Sequence, residues 1–193
     1  ITACRPCPAG YLCDQEAITD FDDFPCPVGH FCPVHSLAPI ECQAGSYRPS
    51  VGAGSQADCL TCPAGHFCVA QSSAPEICPA ATFCPPGSAG TTPCPAGSYC
   101  PVHSAVHDNG APILCPPSYS CAANVFEPTA CPDGTYCPAG SSAPLYCPLG
   151  TKTSLVTSNT SRAVLEDACV VCPPGTYGAD DSRLVCATCP AGY

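Results

Sequence analysis

Cysteine dominates the reactive inventory of this chain, supplying 22 of its 193 residues. Thiols at that density allow three chemistries: metal ligation, thiol–disulfide exchange, and oxidised cross-linking. The best metal spacing is Cys169-x2-Cys172-x13-Cys186-x2-Cys189, close to that of a zinc ribbon. These four residues are also in register with every other cysteine of the chain, so they read as ordinary members of a repeat. The C-x-x-C pairs (Cys4/Cys7, Cys59/Cys62, Cys169/Cys172, Cys186/Cys189) lack the βαβ surroundings of a redox motif. Oxidised cross-links are therefore the expected chemistry, and they place the chain outside the reducing cytosol, secreted or at the cell surface.

The other reactive side chains are sparse. Asp14, Glu16, Asp20, Asp22 and Asp23 cluster in one early loop and offer the hard oxygen ligands that suit Ca²⁺, but without the ordered spacing of a calcium loop. A solvated acidic loop is the expectation there, with calcium as the alternative, and no other cofactor is expected. His30, His35, His66, His103 and His107 are accompanied by no nucleophile or carboxylate pattern, which argues against an enzyme. Asn159-Thr160-Ser161 is an N-glycan acceptor sequence. Ser72-Ser73-Ala74-Pro75, Ser88 to Pro93 and Ser141-Ser142-Ala143-Pro144 have the composition of O-glycan sites.

What must position these residues is a repeat. A C-P-x-G-x-[FY] motif opens at Cys7, Cys26, Cys42, Cys62, Cys78, Cys94, Cys115, Cys131, Cys147 and Cys172, and an eleventh begins at Cys189. A unit of 16 to 25 residues cannot enclose a hydrophobic core, so staples and neighbouring copies must hold it. Two positions carry the second cysteine of a copy: six residues after the opening Cys (+6) and three before the next opening Cys (−3). Cys13, Cys32, Cys68, Cys84, Cys100, Cys121 and Cys137 stand at +6, and there the −3 residue is Asp23, Pro39, Pro75, Thr91, Pro112, Pro128 or Pro144. Three copies reverse this, with Arg48, Thr153 and Gly178 at +6 and Cys59, Cys169 and Cys186 at −3.

One disulfide per copy is the simplest reading. Tight loops would then be Cys7–Cys13, Cys26–Cys32, Cys62–Cys68, Cys78–Cys84, Cys94–Cys100, Cys115–Cys121 and Cys131–Cys137. Wide loops would be Cys42–Cys59, Cys147–Cys169 and Cys172–Cys186, leaving Cys4 and Cys189 to partners outside the sequence. A rival scheme joins Cys13–Cys26, Cys32–Cys42 and Cys68–Cys78, and needs four C-x-x-C rings; spacing alone leaves both open. Pro and Gly in C-P-x-G preset a turn that reverses the chain within seven residues. Where Gln43 replaces Pro, or Ala81 and Ser118 replace Gly, a turn of another type is expected. The motif aromatics Phe31, Tyr47, Phe67, Phe83, Tyr99, Tyr136 and Tyr177 are expected to cover a neighbouring copy's disulfide.

The organisation that follows is the end of an upstream repeat (1–6), two tight repeats (7–41), a wide repeat (42–61), five tight repeats (62–146), two wide repeats (147–188) and the start of another (189–193). The fold class is a chain of small disulfide-rich repeats forming an elongated rod of turns and short two-stranded ribbons. One short helix is expected, at 161–168. Beginning and ending in mid-pattern, without an initiator Met or signal peptide, the sequence reads as a fragment of a longer processed polypeptide. A net charge of −10 with five basic residues argues against a nucleic-acid surface, and no apolar stretch is long enough to insert in a membrane.

The wide copies carry a family resemblance. Cys42-Gln43-Ala44-Gly45-Ser46-Tyr47, Gly52-Ala53 and Asp58-Cys59-Leu60-Thr61-Cys62-Pro63 resemble ephrin-receptor-like, growth-factor-receptor-type cysteine-rich repeats, as do 172–177 and 186–190. The resemblance implies an extracellular scaffold, as found in animal receptors, matrix proteins and large protist surface proteins. Scaffold does not dictate activity. The expected function is a non-enzymatic structural segment of a glycosylated fibre, flagellar hair (mastigoneme), sheath or wall that associates with itself. The alternative is the stalk or ligand-binding ectodomain of a surface receptor.

Overall fold

A computed structural model describes residues 5–14, 20–102, 110–153, 162–178 and 184–191. Among these residues the structure is a series of nine separate two-stranded antiparallel sheets. The ribbons are β1 (His30–Phe31) with β2 (Ile40–Glu41), β3 (Ser46–Tyr47) with β4 (Leu60–Thr61), and β5 (His66–Phe67) with β6 (Glu76–Ile77). They continue with β7 (Thr82–Phe83) and β8 (Thr92–Pro93), β9 (Ser98–Tyr99) and β10 (Ile113–Leu114), then β11 (Tyr119–Ser120) and β12 (Thr129–Ala130). The last three are β13 (Thr135–Tyr136) with β14 (Leu145–Tyr146), β15 (Thr151–Thr153) with β16 (Cys169–Val171), and β17 (Thr176–Gly178) with β18 (Cys186–Thr188). In the first copy the ribbon shrinks to a single bridge between Tyr11 and Pro25.

One register builds all of these. The residues four and five places after an opening Cys pair with those one and two places before the next: Ser46 faces Thr61 and Tyr47 faces Leu60, and His66 faces Ile77 and Phe67 faces Glu76. Each ribbon is thus one copy closed on itself. The first strand leaves the C-P-x-G turn and the second enters the next one.

The core is sulfur. Among the described residues, the buried apolar side chains are cysteines, with Ala53 and Ala168 the two exceptions. The small apolar cluster formed by Cys147, Ala168 and Cys169 has Tyr136 packed against it, an aromatic of one copy lying on the disulfide of the next. The other six motif aromatics divide: Phe31, Tyr47, Phe67, Phe83 and Tyr99 are half-buried, whereas Tyr177 is 43% exposed.

Two expectations are corrected. The helix occupies Leu165–Ala168, not 161–168. Val164, the residue before it, is extended and supplies no side-chain cap, so nothing favours an earlier start. The turns at Ala81 and Ser118 are of the same type as the glycine turns, not another. Ala81 (φ 64°) and Ser118 (φ 70°) take the left-handed conformation that Gly45 (φ 88°) and Gly97 (φ 83°) take. Gln43 likewise keeps the usual turn, its carbonyl accepting the Ser46 amide at 3.0 Å as Pro63 accepts His66 at 3.2 Å. The backbone bonds on both sides of the turn hold the conformation whatever the side chain.

Contacts group the chain into two units. The first comprises Ile1–Pro79, Phe83–Thr92 and Val102–Ala111; the second comprises Ala80–Thr82, Pro93–Pro101 and Pro112–Tyr193. Within each, successive copies are joined by the same backbone ladder. In the first unit the amides of Cys26, Cys42, Cys62 and Cys78 donate to the carbonyls of Gly10, Gly29, Gly45 and Gly65. In return the amides of Gly10, Gly29, Gly45 and Gly65 donate to the +6 carbonyls of Cys32, Arg48, Cys68 and Cys84. In the second unit Cys94, Cys115 and Cys131 donate to Ala81, Gly97 and Ser118, which donate back to Cys100, Cys121 and Cys137. The +3 residue therefore uses both backbone groups to tie its copy to the next, which is why it must hold a left-handed conformation.

Candidate functional site: the stapled ribbon and its outer strand

Among the described residues there are ten disulfides, one in each complete copy. Cys7–Cys13, Cys26–Cys32, Cys62–Cys68, Cys78–Cys84, Cys94–Cys100, Cys115–Cys121 and Cys131–Cys137 each span a sequence separation of 6. Cys42–Cys59, Cys147–Cys169 and Cys172–Cys186 span 17, 22 and 14. Their Cα atoms lie 5.5–6.1 Å apart, within the ordinary disulfide range. Cys189 is a half-buried free thiol, its amide bonded to Gly175. Cys4 and Asn159 lie outside the described residues.

Register explains why the partner has two places. Thr153 at +6 stands directly opposite Cys169 at −3, and Gly178 opposite Cys186. Continuing the pairing of β3 with β4 by one residue sets Arg48 opposite Cys59. The two positions face each other across the ribbon, so an opening cysteine that can reach one can reach the other. Proline occupies −3 in most tight copies. It has no amide to extend the ribbon, which there stops at two residues, whereas two of the wide copies run to three.

Two arginines, not singled out by the sequence, do structural work around the wide copies. Arg48 fills a place that cysteine fills elsewhere, and its Nη1 donates to the Asp58 carbonyl at 3.0 Å while Nε donates to Ser50 at 3.1 Å. Beside it, a carboxylate oxygen of Asp58 accepts the amides of Gly54 (2.8 Å) and Ser55 (2.9 Å) and the Ser55 hydroxyl (3.2 Å). Those bonds, the Gly54 and Ser55 amides foremost, hold the Asp58 carboxyl below the usual carboxylate range. Arg162, in the widest loop, donates to the Cys131 carbonyl at 2.7 Å and pairs with Asp133, while its own carbonyl accepts the Cys137 amide. The only available signal was that basic residues are so few.

The other candidate groups are not brought together. Among the described residues no cluster of three or more His, Cys, Asp or Glu could hold a metal. Of the zinc-ribbon cysteines, Cys169 is bonded to Cys147, and Cys172 to Cys186. Asp14, Asp20, Asp22 and Asp23 are exposed. Asp20 accepts the Asp22 amide at 3.1 Å, and Asp22 accepts the Tyr11 hydroxyl at 3.4 Å. Glu16, His103 and His107 lie outside the described residues. His35 serves through its backbone, left-handed at φ 64° with its amide on the Cys7 carbonyl. No described helix is long and apolar enough to cross a membrane.

What the ribbons do present is an outer strand. First strands are half-buried, while second strands expose most of their residues. In the first unit these expose Ile40, Leu60 and Ile77; in the second they expose Leu114, Leu145, Tyr146, Val170 and Val171. A single exposed leucine is ordinary, but six of the nine described second strands expose a large apolar residue, one or two places before the next opening cysteine, while β8, β12 and β18 expose none. No protein-family model and no curated protein matches the sequence.

Proposed function

We propose that this chain is a non-enzymatic, extracellular structural element: a repeat segment of a glycosylated fibre, flagellar hair, sheath or wall that associates through its outer strands. The observation that carries the reading is the large apolar residue exposed on the outer strand of six of the nine described ribbons, one or two places before the next opening cysteine. A surface repeated at the chain's own period is matched best by another surface of the same period, which favours polymers over one-to-one complexes. Ten disulfides fit an oxidising compartment, and together with the backbone ladder they stabilise a chain that has almost no apolar core.

Electron microscopy and sedimentation of the secreted protein under non-reducing conditions test this. Filaments or multichain assemblies are expected, with L60D/I77D dispersing them while circular dichroism and disulfide content stay unchanged. Dispersed wild-type monomers across the micromolar range would overturn the fibre reading.

A further inference from the structure

We propose that Ser73 and Ser142 are O-glycan acceptors, and that the serine immediately before each is barred from that role by the fold. The proposal rests on the extracellular glycoprotein reading above and adds to it the particular hydroxyls modified. Each stretch reads Ser-Ser-Ala-Pro, so composition treats its two serines alike.

The structure separates them. The Ser72 hydroxyl donates to the Val69 carbonyl at 2.7 Å, and the Ser72 carbonyl accepts the Arg48 amide at 2.9 Å. The Ser141 hydroxyl donates to the Pro138 carbonyl at 2.6 Å, and its carbonyl accepts the Cys121 amide at 2.9 Å. Both side chains close a turn that also carries a bond between copies. A sugar on either oxygen would remove the only proton that oxygen can donate and force a bulky group into the turn. Ser73 and Ser142, by contrast, are exposed. Both stand eleven residues after their opening cysteine, at the first bend of the outer loop.

Local chain direction also suits a transferase. Pro75 and Pro144 disfavour helical backbone in the residue before them, so each acceptor leads into an extended segment that an enzyme cleft can bind. Ser142 further lies at the lip of an open, mainly apolar trough of about 450 Å³ lined by Val125, Ala130, Pro132, Ala143 and Pro144. The C–H face of a pyranose can rest there without burying its hydroxyls. In the transfer, the serine oxygen bonds to the anomeric carbon of a nucleoside diphosphate sugar. The bond from that carbon to the phosphate oxygen breaks, the hydroxyl proton passes to a base of the transferase, and the nucleoside diphosphate leaves. No oxidation state changes.

Electron-transfer fragmentation of glycopeptides from the secreted full chain, after reduction and alkylation, locates each sugar to one serine. Hexose or N-acetylhexosamine mass on Ser73 and Ser142, with Ser72 and Ser141 bare, is the expected result. S73A and S142A then lose that mass completely with an unchanged melting temperature, whereas S72A and S141A keep it and melt lower. Sugar on Ser72 or Ser141, or sugars confined to other sites such as Asn159, would overturn the proposal and leave the glycoprotein reading standing. A chain bearing no sugar anywhere overturns both.

Discussion

The tight copy opening at Cys62 and the wide copy opening at Cys42 share one register and one turn, yet close by different staples. In the first, Cys62 bonds across a separation of 6 to Cys68, and continuing the pairing of β5 with β6 by one residue sets Pro75 opposite that position. In the second, Cys42 bonds across a separation of 17 to Cys59, and Arg48 faces it. The ladder to the next copy does not register the difference: Gly45 donates to the Cys68 carbonyl, and Gly29 donates to the Arg48 carbonyl. Backbone geometry defines the repeat, then, and the staple is a removable reinforcement with two mounting points. What changes is how much chain each staple restrains. A tight loop constrains the turn alone, while a wide loop constrains the whole ribbon and everything inserted between its strands.

That difference predicts the largest effect. Chain-entropy estimates give about 3 kcal/mol for the Cys147–Cys169 loop and about 2 kcal/mol for Cys62–Cys68. We expect C147A/C169A to lower the protection of its ladder amides in hydrogen exchange more than C62A/C68A lowers its own. Equal losses would mean that loop length is irrelevant and that the native ribbon, not the unfolded chain, feels the staple.

Next in size is the turn itself. A Cβ at Gly29 would lie 2.2 Å from the Gln71 carbonyl oxygen, in a left-handed backbone at φ 73°. Gly150 shares the conformation (φ 81°) but has nothing within 4 Å. Gly150→Ala should therefore cost about 1 kcal/mol from conformation alone, and Gly29→Ala at least about 2 kcal/mol, since another copy's backbone must also shift. Calorimetric melting of the two variants compares them, and equal costs would show that the close approach is not felt.

Moving the mounting point tests the register directly. In C68A/P75C the opening Cys62 has its partner at −3 in place of +6. Non-reducing peptide mapping should find Cys62 bonded to the thiol introduced at position 75, with stability within about 1 kcal/mol of the parent, because the longer loop offsets the strain of adaptation. A free thiol at either position would refute the equivalence of the two places.

Much of this was legible in the sequence, for a physical reason. Cysteines at +6 and −3 alternate because those places face each other, so a spacing pattern records a cross-strand contact. The class of fold followed from the same source: a unit stapled every few residues has no need of long elements. What was not legible was the tolerance of the turn. Ala81 and Ser118 suggested another geometry, but a residue bonded through both its N–H and its C=O to the next copy has no conformational choice. Arg48 was missed because its partners are backbone carbonyls, which leave no complementary residue to find, and Arg162 because its charged partner, Asp133, lies 29 residues away in another copy.

The tolerated turns give a smaller effect of opposite sign. Ser118 is 2% exposed, and among the described residues its hydroxyl has no hydrogen-bond partner. Ser118→Gly relieves both the left-handed strain and the buried polar atom, whereas Ala81→Gly relieves the strain alone. We expect both to raise the melting temperature, with Ser118→Gly gaining about 1 kcal/mol more. A drop on Ser118→Gly would reveal a partner for that hydroxyl.

The smallest effect separates wide from tight by acidity. Asp58 sits in the loop of the wide copy between Cys42 and Cys59, and its carboxylate caps the Gly54 and Ser55 amides. Its folded pKa lies below the unfolded value. The cap therefore stabilises the loop fully above the unfolded pKa, near pH 4, and the contribution disappears as the pH falls through the folded value. Hydrogen exchange at Gly54 and Ser55 should be faster in Asp58→Asn than in the parent at neutral pH, and the two should converge in acid. The tight copy opening at Cys62, whose turn is closed by the Ser72 hydroxyl on a carbonyl, should show no such convergence. A gap at Gly54 that persists at low pH would mean that the carboxylate's shape rather than its charge orders the loop.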